Sequence, residues 1–358
     1  MNGNGETASR EFDVTVVMCT YNRCEMLAGA LESVLAQDAG GVRYEFIIVD
    51  NNSPDRTREV VESFIARGHG YMRYVFESKQ GLSHARNAGI AQARAPIIVF
   101  TDDDVRVARD WVSSIKRTFD EHPEVSYVGG KVLPLWEGAP PAWLTGEHWA
   151  PLALTDHGDK AFYVNAAKPW CLVGANLSVR RAVFDQIGLF TPKFQRVKDH
   201  IGSTEDHEFQ LRLWRTGSQG LYAPEVVVSA EVQANRLEKI YHRRWHTGHG
   251  RYCAMMEFEE VMQADGSVGD VSQDMRTLFG VAGYTYRDLL THGKSWIAAA
   301  LRGQESKALF HENRIRYFKS YIRQRYEEKS AEPNHSALAE VVAFAKSVKR
   351  RLLSSKTI

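Results

Sequence analysis

Short runs of apolar residues alternate with amphipathic stretches over the first hundred residues of the chain. Continuous apolar runs indicate strands buried on both faces, as in a parallel sheet that helices cover on both sides. Apolar residues at three- and four-residue spacing indicate helices between those strands. This alternation predicts an α/β fold with a mostly parallel central sheet and helices on both faces. The predicted strands cover residues 14–19, 45–50, 71–76 and 97–100, and the intervening helices cover residues 27–35, 60–65 and 81–93.

The middle of the chain has a less regular pattern. Between residues 134 and 169, prolines and tryptophans interrupt any regular spacing of apolar residues. This indicates an irregular excursion rather than a core element. Two interpretations of its tryptophans stay open: they pack under a long loop, or they form a wall for a sugar or lipid-linked ligand. Outside the excursion, the pattern predicts helices at residues 111–119, 181–187, 205–215 and generally beyond 236, and strands within residues 125–133, 172–179 and 225–228.

The composition excludes several classes of protein. The 358 residues are 44% hydrophobic and 25% charged with a net charge of +1, so nothing indicates a nucleic-acid-binding protein. The four cysteines lack the spacing of a zinc site, and reduced thiols in a cytosolic protein are expected. No apolar run approaches the ~18 residues of a membrane span, and the polar N-terminus does not resemble a signal peptide. We expect a cytoplasmic protein, with peripheral contact at the inner face of a membrane as an alternative.

Three consecutive carboxylates follow the fourth predicted strand. Asp102, Asp103 and Asp104 come shortly after the apolar run 96–100. Adjacent like charges at a strand end repel each other unless a cation or solvent compensates them. Mg²⁺ or Mn²⁺ would do so, since such ions bind through one or two carboxylates together with substrate phosphates. The alternative is that the aspartates cap the helix expected to begin near Ala108.

Polar residues also end the first two predicted strands. Tyr21 and Asn22 follow the first strand, and Asp50 is followed by Asn51 and Asn52 at the end of the second. The carboxyl ends of parallel strands share one edge of a sheet, where the ligands of such folds bind. We therefore expect these residues to lie near the acidic triplet.

A second acidic cluster opens the helix predicted at residues 205–215. The helix dipole favours acidic residues in a first turn, so a capping role suffices for Glu205 and Glu208. For Asp206 the alternative is a general base, since a carboxylate fixed at the rim of a cleft suits that task.

The order of these motifs resembles that of glycosyltransferase family 2, an inverting family with the GT-A fold, which is a Rossmann-like α/β fold. The resemblance spans roughly residues 12–250, and six motifs in the same order are specific although each alone is weak. The matching segments are 16–23 and 47–53 for the first two strands, 79–89 for the segment before the metal motif, Asp102-Asp103-Asp104 for the D-x-D motif, Gly174-Ala175-Asn176 for the acceptor-side strand, and Glu205-Asp206 for the catalytic pair.

The resemblance implies a role for each matching position. Asp206 would be the general base, and Asp102 and Asp104 would hold Mg²⁺ or Mn²⁺ and, through it, the diphosphate. The triplet leaves its register open, so Asp103 would replace one of these ligands or contact the ribose. Asp50 would receive the nucleotide base. Implied nucleotide-sugar-binding residues are Cys19, Tyr21, Asp50, Asn52, Lys79, Arg86 and Asp103, and implied acceptor-side residues are Asn176 and Glu205.

A weaker match lies in residues 239–246. They are similar to the R-W segment of processive family members, although the upstream glutamine of that segment is missing. The match would give Arg244 a diphosphate contact and Trp245 a sugar-stacking face on the acceptor side. The alternative is a basic amphipathic helix with Trp245 in the core. His242, His246 or His249 could offer a nitrogen ligand to the metal, and the sequence leaves open whether one of them does.

The resemblance also implies an activity and a domain layout. A sugar would pass from a nucleotide-diphosphate sugar (UDP, GDP or dTDP) to a hydroxyl of a glycan, a lipid-linked glycan or a small molecule. The reaction would be a single displacement that inverts the anomeric carbon. After a disordered N-terminus at residues 1–11, a GT-A domain would cover residues 12–235, with a nucleotide-binding half at about 12–133 and an acceptor-side half at about 134–235. A mainly helical C-terminal region would cover residues 236–358.

Two other functions stay open on the sequence. A sugar-1-phosphate nucleotidyltransferase has a related fold, but it would carry a Gly-rich, basic phosphate loop after the first strand, and residues 21–24 are not such a loop. An inactive sugar- or lipid-binding module on the same scaffold would be favoured by loss of the D-x-D motif or of Asp206, and both are present. The oligomeric state does not follow from the sequence.

Overall fold

The computed structural model describes residues 11–69, 71–195, 201–202, 204–263, 265–270, 277–333 and 335–354, with side chains up to residue 346. The expectation of a disordered N-terminus falls on residues 1–10, which lie outside the described residues. The helices are α1 (Cys24–Leu35), α2 (Thr57–Ile65), α3 (Leu82–Gln92), α4 (Trp111–Glu121), α5 (Ala182–Ile187), α6 (Glu205–Arg215), α7 (Lys239–Met255), α8 (Phe258–Val261), α9 (Gly283–Leu301), α10 (Glu305–Ser330) and α11 (Ala337–Ser354). The strands are β1 (Val14–Thr20), β2 (Tyr44–Asp50), β3 (Met72–Phe76), β4 (Ile97–Asp102), β5 (Val105–Val107), β6 (Tyr127–Trp136), β7 (Phe162–Val164), β8 (Leu177–Arg180), β9 (Gly220–Val232), β10 (Thr277–Leu278) and β11 (Val281–Ala282).

Among the described residues, nine strands form one mixed sheet in the order β3-β2-β1-β4-β8-β6-β9-β5, and β7 pairs with β9. Strand β1 is parallel to β2 and β4, and β2 is parallel to β3. Strand β8 is antiparallel to β4 and β6, whereas β9 is parallel to β6. The predicted α/β fold is therefore confirmed, and the four strands that the hydrophobic pattern predicts in the first hundred residues are parallel.

Strand β1 lies in the middle of the parallel part of the sheet. Every residue of Val14–Thr20 is buried, as expected for a strand covered by helices on both faces. Helix α1 buries Leu27 and Leu31, whose four-residue spacing predicts one helical face. Helix α3 packs closely on β1, since a Cβ added to Gly89 would lie 2.4 Å from a methyl group of Val17.

Two segments differ from the prediction. The strand expected at residues 172–179 begins only at Leu177, because Gly174–Asn176 forms a 3-10 turn. Strand β9 runs for 13 residues because it pairs with β5, β6 and β7. In both cases contacts with other parts of the chain override the local pattern. The described C-terminal residues are mainly helical, and β10 and β11 add a short hairpin.

The chain divides into two compact units. The described residues within Met1–Ala139, Leu152–Asp199 and Glu205–Gln233 form the first unit, which contains the nine-stranded sheet. Those within Pro140–Pro151, His200–Thr204 and Ala234–Ile358 form the second unit, which is mainly helical. The predicted domain bounds, 12–235 and 236–358, stay predictions.

The second unit is built on helices α7, α9 and α10. Helices α7 and α10 approach closely, since a Cβ at Gly250 would lie 2.3 Å from the carbonyl oxygen of Tyr317. Trp143 is 7% exposed, and its ring centroid lies 5.6 Å from that of His148 and 5.0 Å from that of His242. These contacts support the packing interpretation for this tryptophan. None of the helices in the described part of the chain combines the length and the apolar character that a bilayer span requires.

Two histidines of α7, the buried His242 and the half-buried His246, make the stability of the chain depend on pH. Burial lowers the pKa of His242 to about 4 and that of His246 to about 3, whereas a histidine in an unfolded chain titrates near ~6.5. Between these values the unfolded chain binds more protons, so this stabilisation is present above pH ~6.5 and is lost as the pH falls. For His242 alone, we expect the free energy of unfolding, measured by urea denaturation, to fall by about 1 kcal/mol from pH ~7.5 to ~5.5.

The control for this prediction compares the pH dependence of two variants. His242→Phe should flatten it, even if loss of the hydrogen bond to the Arg236 carbonyl lowers stability at every pH. His122→Gln, at a ring that is 33% exposed, should leave it unchanged. An unaltered pH dependence in His242→Phe would contradict the assignment.

Candidate active site

The parallel strands of the first unit bring the predicted polar residues to one edge of the sheet. The register pairs Thr20 with Asp50 across β1 and β2, and Cys19 with Asp102 across β1 and β4. The carboxyl ends of these strands are therefore level with one another. In open α/β sheets ligands bind at this edge.

Two carboxylates of the acidic triplet share one guanidinium. Nη1 of Arg23 donates to Oδ1 of Asp103 and to Oδ2 of Asp104, each at 2.9 Å. The Thr20 hydroxyl donates to Asp103 at 2.8 Å. Burial raises the pKa of Asp103, although Arg23 acts in the opposite direction. The triplet does not cap a helix, since the next helix begins only at Trp111.

Asp102 differs from its two neighbours in exposure. Its side chain is 35% exposed, whereas those of Asp103 and Asp104 are 6% and 8% exposed. The end of β4 therefore presents one carboxylate to solvent and holds two in buried ion pairs.

Arg86 on α3 joins the triplet to the second acidic cluster. Its Nη1 donates to Oε1 of Glu205 at 3.0 Å, and its Nη2 lies 4.0 Å from Oδ1 of Asp102. The side chains of Arg86 and Glu205 are only 4% and 5% exposed. Burial lowers the pKa of Arg86, but the surrounding carboxylates, Glu205 first, more than offset this effect, and the pKa is raised. The guanidinium therefore stays charged.

The surroundings of Arg86 fix its position. Its guanidinium carbon lies 5.8 Å from the ring centroid of Phe100 and 5.3 Å from that of Phe190. A Cβ at Gly174 would lie 2.6 Å from Nη2, so only glycine leaves room for the guanidinium there. Asn87, the next residue of α3, donates to the Phe190 carbonyl at 2.9 Å and accepts from its N–H at 3.0 Å.

Asp206 is held in the first turn of α6. Its Oδ2 accepts a hydrogen bond from the backbone N–H of Gly174 at 3.1 Å, and its Oδ1 accepts one from the N–H of His207 at 2.8 Å. The side chain is half-buried. A carboxylate that is fixed in orientation and still reached by solvent can accept a proton.

Asp50 and Cys19 are buried at the same edge. Asp50 accepts hydrogen bonds from the Ser53 N–H at 2.9 Å and the Tyr74 hydroxyl at 2.7 Å, and it is 3% exposed. Burial raises the pKa of the Cys19 thiol to about 12, so this thiol is not ionised near neutral pH. Both residues therefore offer hydrogen-bonding or packing surfaces rather than reactive groups.

The loops after β1, β2 and β3 place the other predicted nucleotide residues. Tyr21 is half-buried, whereas Lys79 is exposed. Asn52 has a φ of 61° and donates to the Ser78 carbonyl at 3.4 Å. Asn51 donates to the Lys79 carbonyl at 2.7 Å, which ties the loop after β3 to the loop after β2.

Asn176 is engaged in bonds between elements of the scaffold. Its Oδ1 accepts from the indole of Trp111 at 2.8 Å, and its Nδ2 donates to the carbonyls of Lys131 and Val226 at 3.0 and 2.9 Å. The residue is 1% exposed. Its acceptor-side role stays a prediction.

Arg244 and Trp245 lie on α7, in the second unit. Arg244 is exposed, and the half-buried Trp245 stacks on His249 with 4.3 Å between ring centroids. Their contacts with a diphosphate and an acceptor stay predictions. The same holds for a metal ligand from His242, His246 or His249.

Three residues that hold the site were not predicted from the sequence. Arg23 had a signal, because three adjacent carboxylates require a nearby cation. Tyr74 and Gln195 had none, since they reach partners 24 and 112 residues away in the chain. Gln195 accepts from the N–H of Ser83 at 3.1 Å and so caps the helix that carries Arg86.

The residues at this edge fit a hard divalent cation. Carboxylate oxygens are the donors that Mg²⁺ and Mn²⁺ take. Among the described residues around the triplet and the start of α6, two guanidiniums face five carboxylates, so carboxylates are in excess. The carboxylates are Asp102, Asp103, Asp104, Glu205 and Asp206, and the guanidiniums are Arg23 and Arg86.

Comparison with known proteins agrees with this geometry. Residues 15–188 match the profile of Glycosyl transferase family 2. The glucosyl-dolichyl phosphate glucuronosyltransferase of Haloferax volcanii is 25% identical over 229 residues, which are 63% of this chain and 71% of that protein.

Two solved structures share the fold. A mannosyltransferase from Pyrobaculum calidifontis, in complex with GDP-Man and Mn²⁺, has a TM-score of 0.51 and 17% identity, and the match covers 94% of this chain and 81% of that one. TarS 1-349 of S. aureus, in complex with UDP, has a TM-score of 0.50 and 15% identity over 90% of this chain and 93% of that one. The predicted GT-A fold is confirmed. The segment 15–188 is therefore similar to glycosyl transferase family 2, and the chain is a glycosyltransferase.

Proposed function

We propose that this glycosyltransferase moves a sugar from a nucleotide-diphosphate sugar to an acceptor hydroxyl in one displacement that inverts the anomeric carbon. The observation that carries the proposal is the connection from Asp102 through Arg86 to Glu205, which neighbours Asp206. This connection links Asp102, a carboxylate suited to a metal–diphosphate site, to the segment that holds Asp206, a carboxylate suited to act as a base. The complexes of the structural neighbours with GDP-Man and Mn²⁺ and with UDP support this class of donor.

Asp206 is the proposed general base. As the acceptor oxygen bonds to the anomeric carbon and the bond to the diphosphate breaks, the hydroxyl proton passes to this carboxylate. The N–H groups of Gly174 and His207 hold the carboxylate, so it needs no reorientation during the reaction. Attack opposite the leaving group inverts the configuration. Glu205 does not act on a proton here, because its Oε1 is paired with Arg86.

A divalent cation would be held at the end of β4. Asp102 is the first ligand, since it is the most exposed carboxylate of the triplet. Asp104 already accepts a hydrogen bond from Arg23. If Asp104 were the second ligand, its carboxylate would have to contact both the cation and Arg23. Bound Mg²⁺ or Mn²⁺ would supply positive charge where the diphosphate develops negative charge.

The nucleotide would lie over the carboxyl ends of β1 and β2. Asp50 would meet the base beside Cys19 and Tyr21, with Asn52 and Lys79 at the rim. UDP, GDP and dTDP are the candidate nucleotides. The acceptor is proposed to be a glycan, most specifically a lipid-linked one, because the name of the Haloferax relative contains a dolichyl phosphate-linked sugar. A cytoplasmic location with peripheral contact at the inner face of a membrane belongs to the same proposal.

Arg86 is proposed to position the site rather than to bind the nucleotide. Its side chain is 4% exposed and lies between Glu205 and Asp102. Little of the guanidinium surface is left for a ligand. Its charge instead fixes the start of α6, and with it Asp206, relative to the end of β4.

Asp206→Asn should abolish transfer, lowering kcat at least about 1,000-fold, because the amide cannot accept the proton. Binding of UDP or GDP with Mn²⁺ should be unchanged, as measured by calorimetry. Glu208→Gln is the matched control, since Glu208 lies on the same helix but pairs with Arg212. Retained turnover in Asp206→Asn would exclude this residue as the base.

UDP or GDP with Mn²⁺ should stabilise the chain, by about 2.7 kcal/mol at a ligand concentration of 100 Kd. Asp102→Asn should lose the Mn²⁺-dependent part of that stabilisation. Thermal unfolding with and without Mn²⁺ measures both effects. Asp38→Asn, at an exposed carboxylate of the same unit, should behave like the wild type. No stabilisation by any of UDP, GDP or dTDP would count against the proposed donor class.

Arg86→Met should lower the free energy of unfolding by about 3–5 kcal/mol, because it leaves the buried Glu205 carboxylate without its cation. The double variant Arg86→Met/Glu205→Gln should recover part of this loss in urea denaturation, as expected for a coupled pair. Arg86→Lys keeps the charge and should lower kcat with little change in KM for the donor. A raised KM with unchanged kcat would instead assign Arg86 to nucleotide binding.

A further inference from the structure

Helix α9 of the second unit has a row of large apolar side chains that no described residue covers. Leu290, Ile297 and Leu301 are 68%, 54% and 84% exposed, and Trp296 is 42% exposed. At ~100° per residue, the first three fall within an arc of about 40°, and the tryptophan lies about 100° outside that arc. We call the three aliphatic residues the α9 face. Exposed apolar surface that is grouped in this way marks an interaction site.

Cations border the α9 face. Arg287, Lys294 and Arg302 are all exposed, and at ~100° per residue they lie about 40°, 20° and 100° beyond one side of the apolar row. The one carboxylate of α9, Asp288, lies on the other side of the helix and is paired with Arg287 at 3.2 Å. The helix therefore combines an apolar row, a net positive charge on one side of that row and an indole on the other side. An interfacial amphipathic helix on anionic lipid has this combination.

We propose that the α9 face docks on the surface of an anionic lipid bilayer. Leu290, Ile297 and Leu301 would enter the boundary between head groups and acyl chains, and Lys294 and Arg302 would meet the lipid phosphates. A second copy of the chain fits this face less well, because docking α9 on α9 would bring the same cations together, and lysine is depleted in protein interfaces.

The inference deepens the proposed function, on which it rests for its purpose. A transferase that acts on a lipid-linked acceptor must reach the membrane surface. The binding itself requires neither donor nor acceptor, so it is measured separately from activity.

The experiment measures partition of the purified full chain onto vesicles by sedimentation. Vesicles of phosphatidylcholine alone are compared with vesicles that contain about 30% phosphatidylglycerol. Wild type should bind the anionic vesicles about tenfold more tightly, since each cation near the surface adds to the attraction. Raising the salt from about 50 to about 500 mM should weaken that binding several-fold by screening.

Two double variants separate the apolar and cationic contributions. Ile297→Glu/Leu301→Glu should lower partition onto anionic vesicles about tenfold or more, because it places carboxylates where acyl chains would be. Lys294→Glu/Arg302→Glu should remove the preference for anionic lipid. Leu338→Glu is the matched control, at a leucine of α11 that is 74% exposed, and it should bind like the wild type. All of the substituted positions are exposed, and circular dichroism melts verify that each variant folds.

The proposal would be overturned if the wild type did not bind anionic vesicles at low salt. It would also be overturned if Ile297→Glu/Leu301→Glu bound these vesicles as tightly as the wild type. A dimer in light scattering that this variant converts to a monomer would make the α9 face a contact between copies. Stabilisation by nucleotide and Mn²⁺ is measured on the same samples, and all variants should retain it. Loss of vesicle binding with this stabilisation intact would concern the α9 face alone, whereas absence of the stabilisation in the wild type would count against the proposed function.

Discussion

Arg86 carries a positive charge into a buried part of the first unit, where a strand end and the start of α6 bring carboxylates together. Removing both members of an ion pair from water costs several kcal/mol for each ion. Here the 3.0 Å contact with Glu205 and the proximity of Asp102 offset that cost. Neither charge is stable there alone, so the pair fixes α3, the end of β4 and α6 in one arrangement. Gly174 belongs to the same constraint, because a larger residue would displace the guanidinium.

A second guanidinium also pairs with buried carboxylates of the triplet. Arg23 forms ion pairs with Asp103 and Asp104, whose side chains are nearly inaccessible to solvent. The two arginines thus divide the carboxylates into a paired, buried group and a more accessible group. The accessible group consists of Asp102 and Asp206, the proposed first metal ligand and the proposed base. Fixed surroundings of such groups are what pre-organisation requires, since the scaffold need not move when substrate arrives.

Much of this arrangement could be predicted from the sequence. Parallel strands show in continuous apolar runs, and their shared carboxyl edge follows from the fold class, so the hydrophobic pattern alone places Asp50 and Asp102 at one edge. The acidic pair at residues 205–206 could be assigned to a helix start because acidic residues are favoured there. These predictions succeed because each depends on local periodicity or on a general rule of topology.

The rest could not be predicted, because it depends on contacts between distant parts of the chain. The burial of Arg86 requires Glu205, 119 residues away, and the cap on its helix comes from Gln195. A guanidinium on an amphipathic helix has the same sequence signature whether it faces solvent or a buried carboxylate. The turn at Gly174–Asn176 interrupts a good strand pattern for a similar reason, since it delivers an N–H group to Asp206. In this segment a contact with a distant residue overrides the local preference for a strand.

The charge balance of this edge has a consequence for the order of binding. With five carboxylates against two guanidiniums among the described residues around the triplet and the start of α6, this part of the edge would repel a diphosphate unless a cation accompanied it. Donor and cation would therefore bind with positive coupling, each raising the affinity for the other.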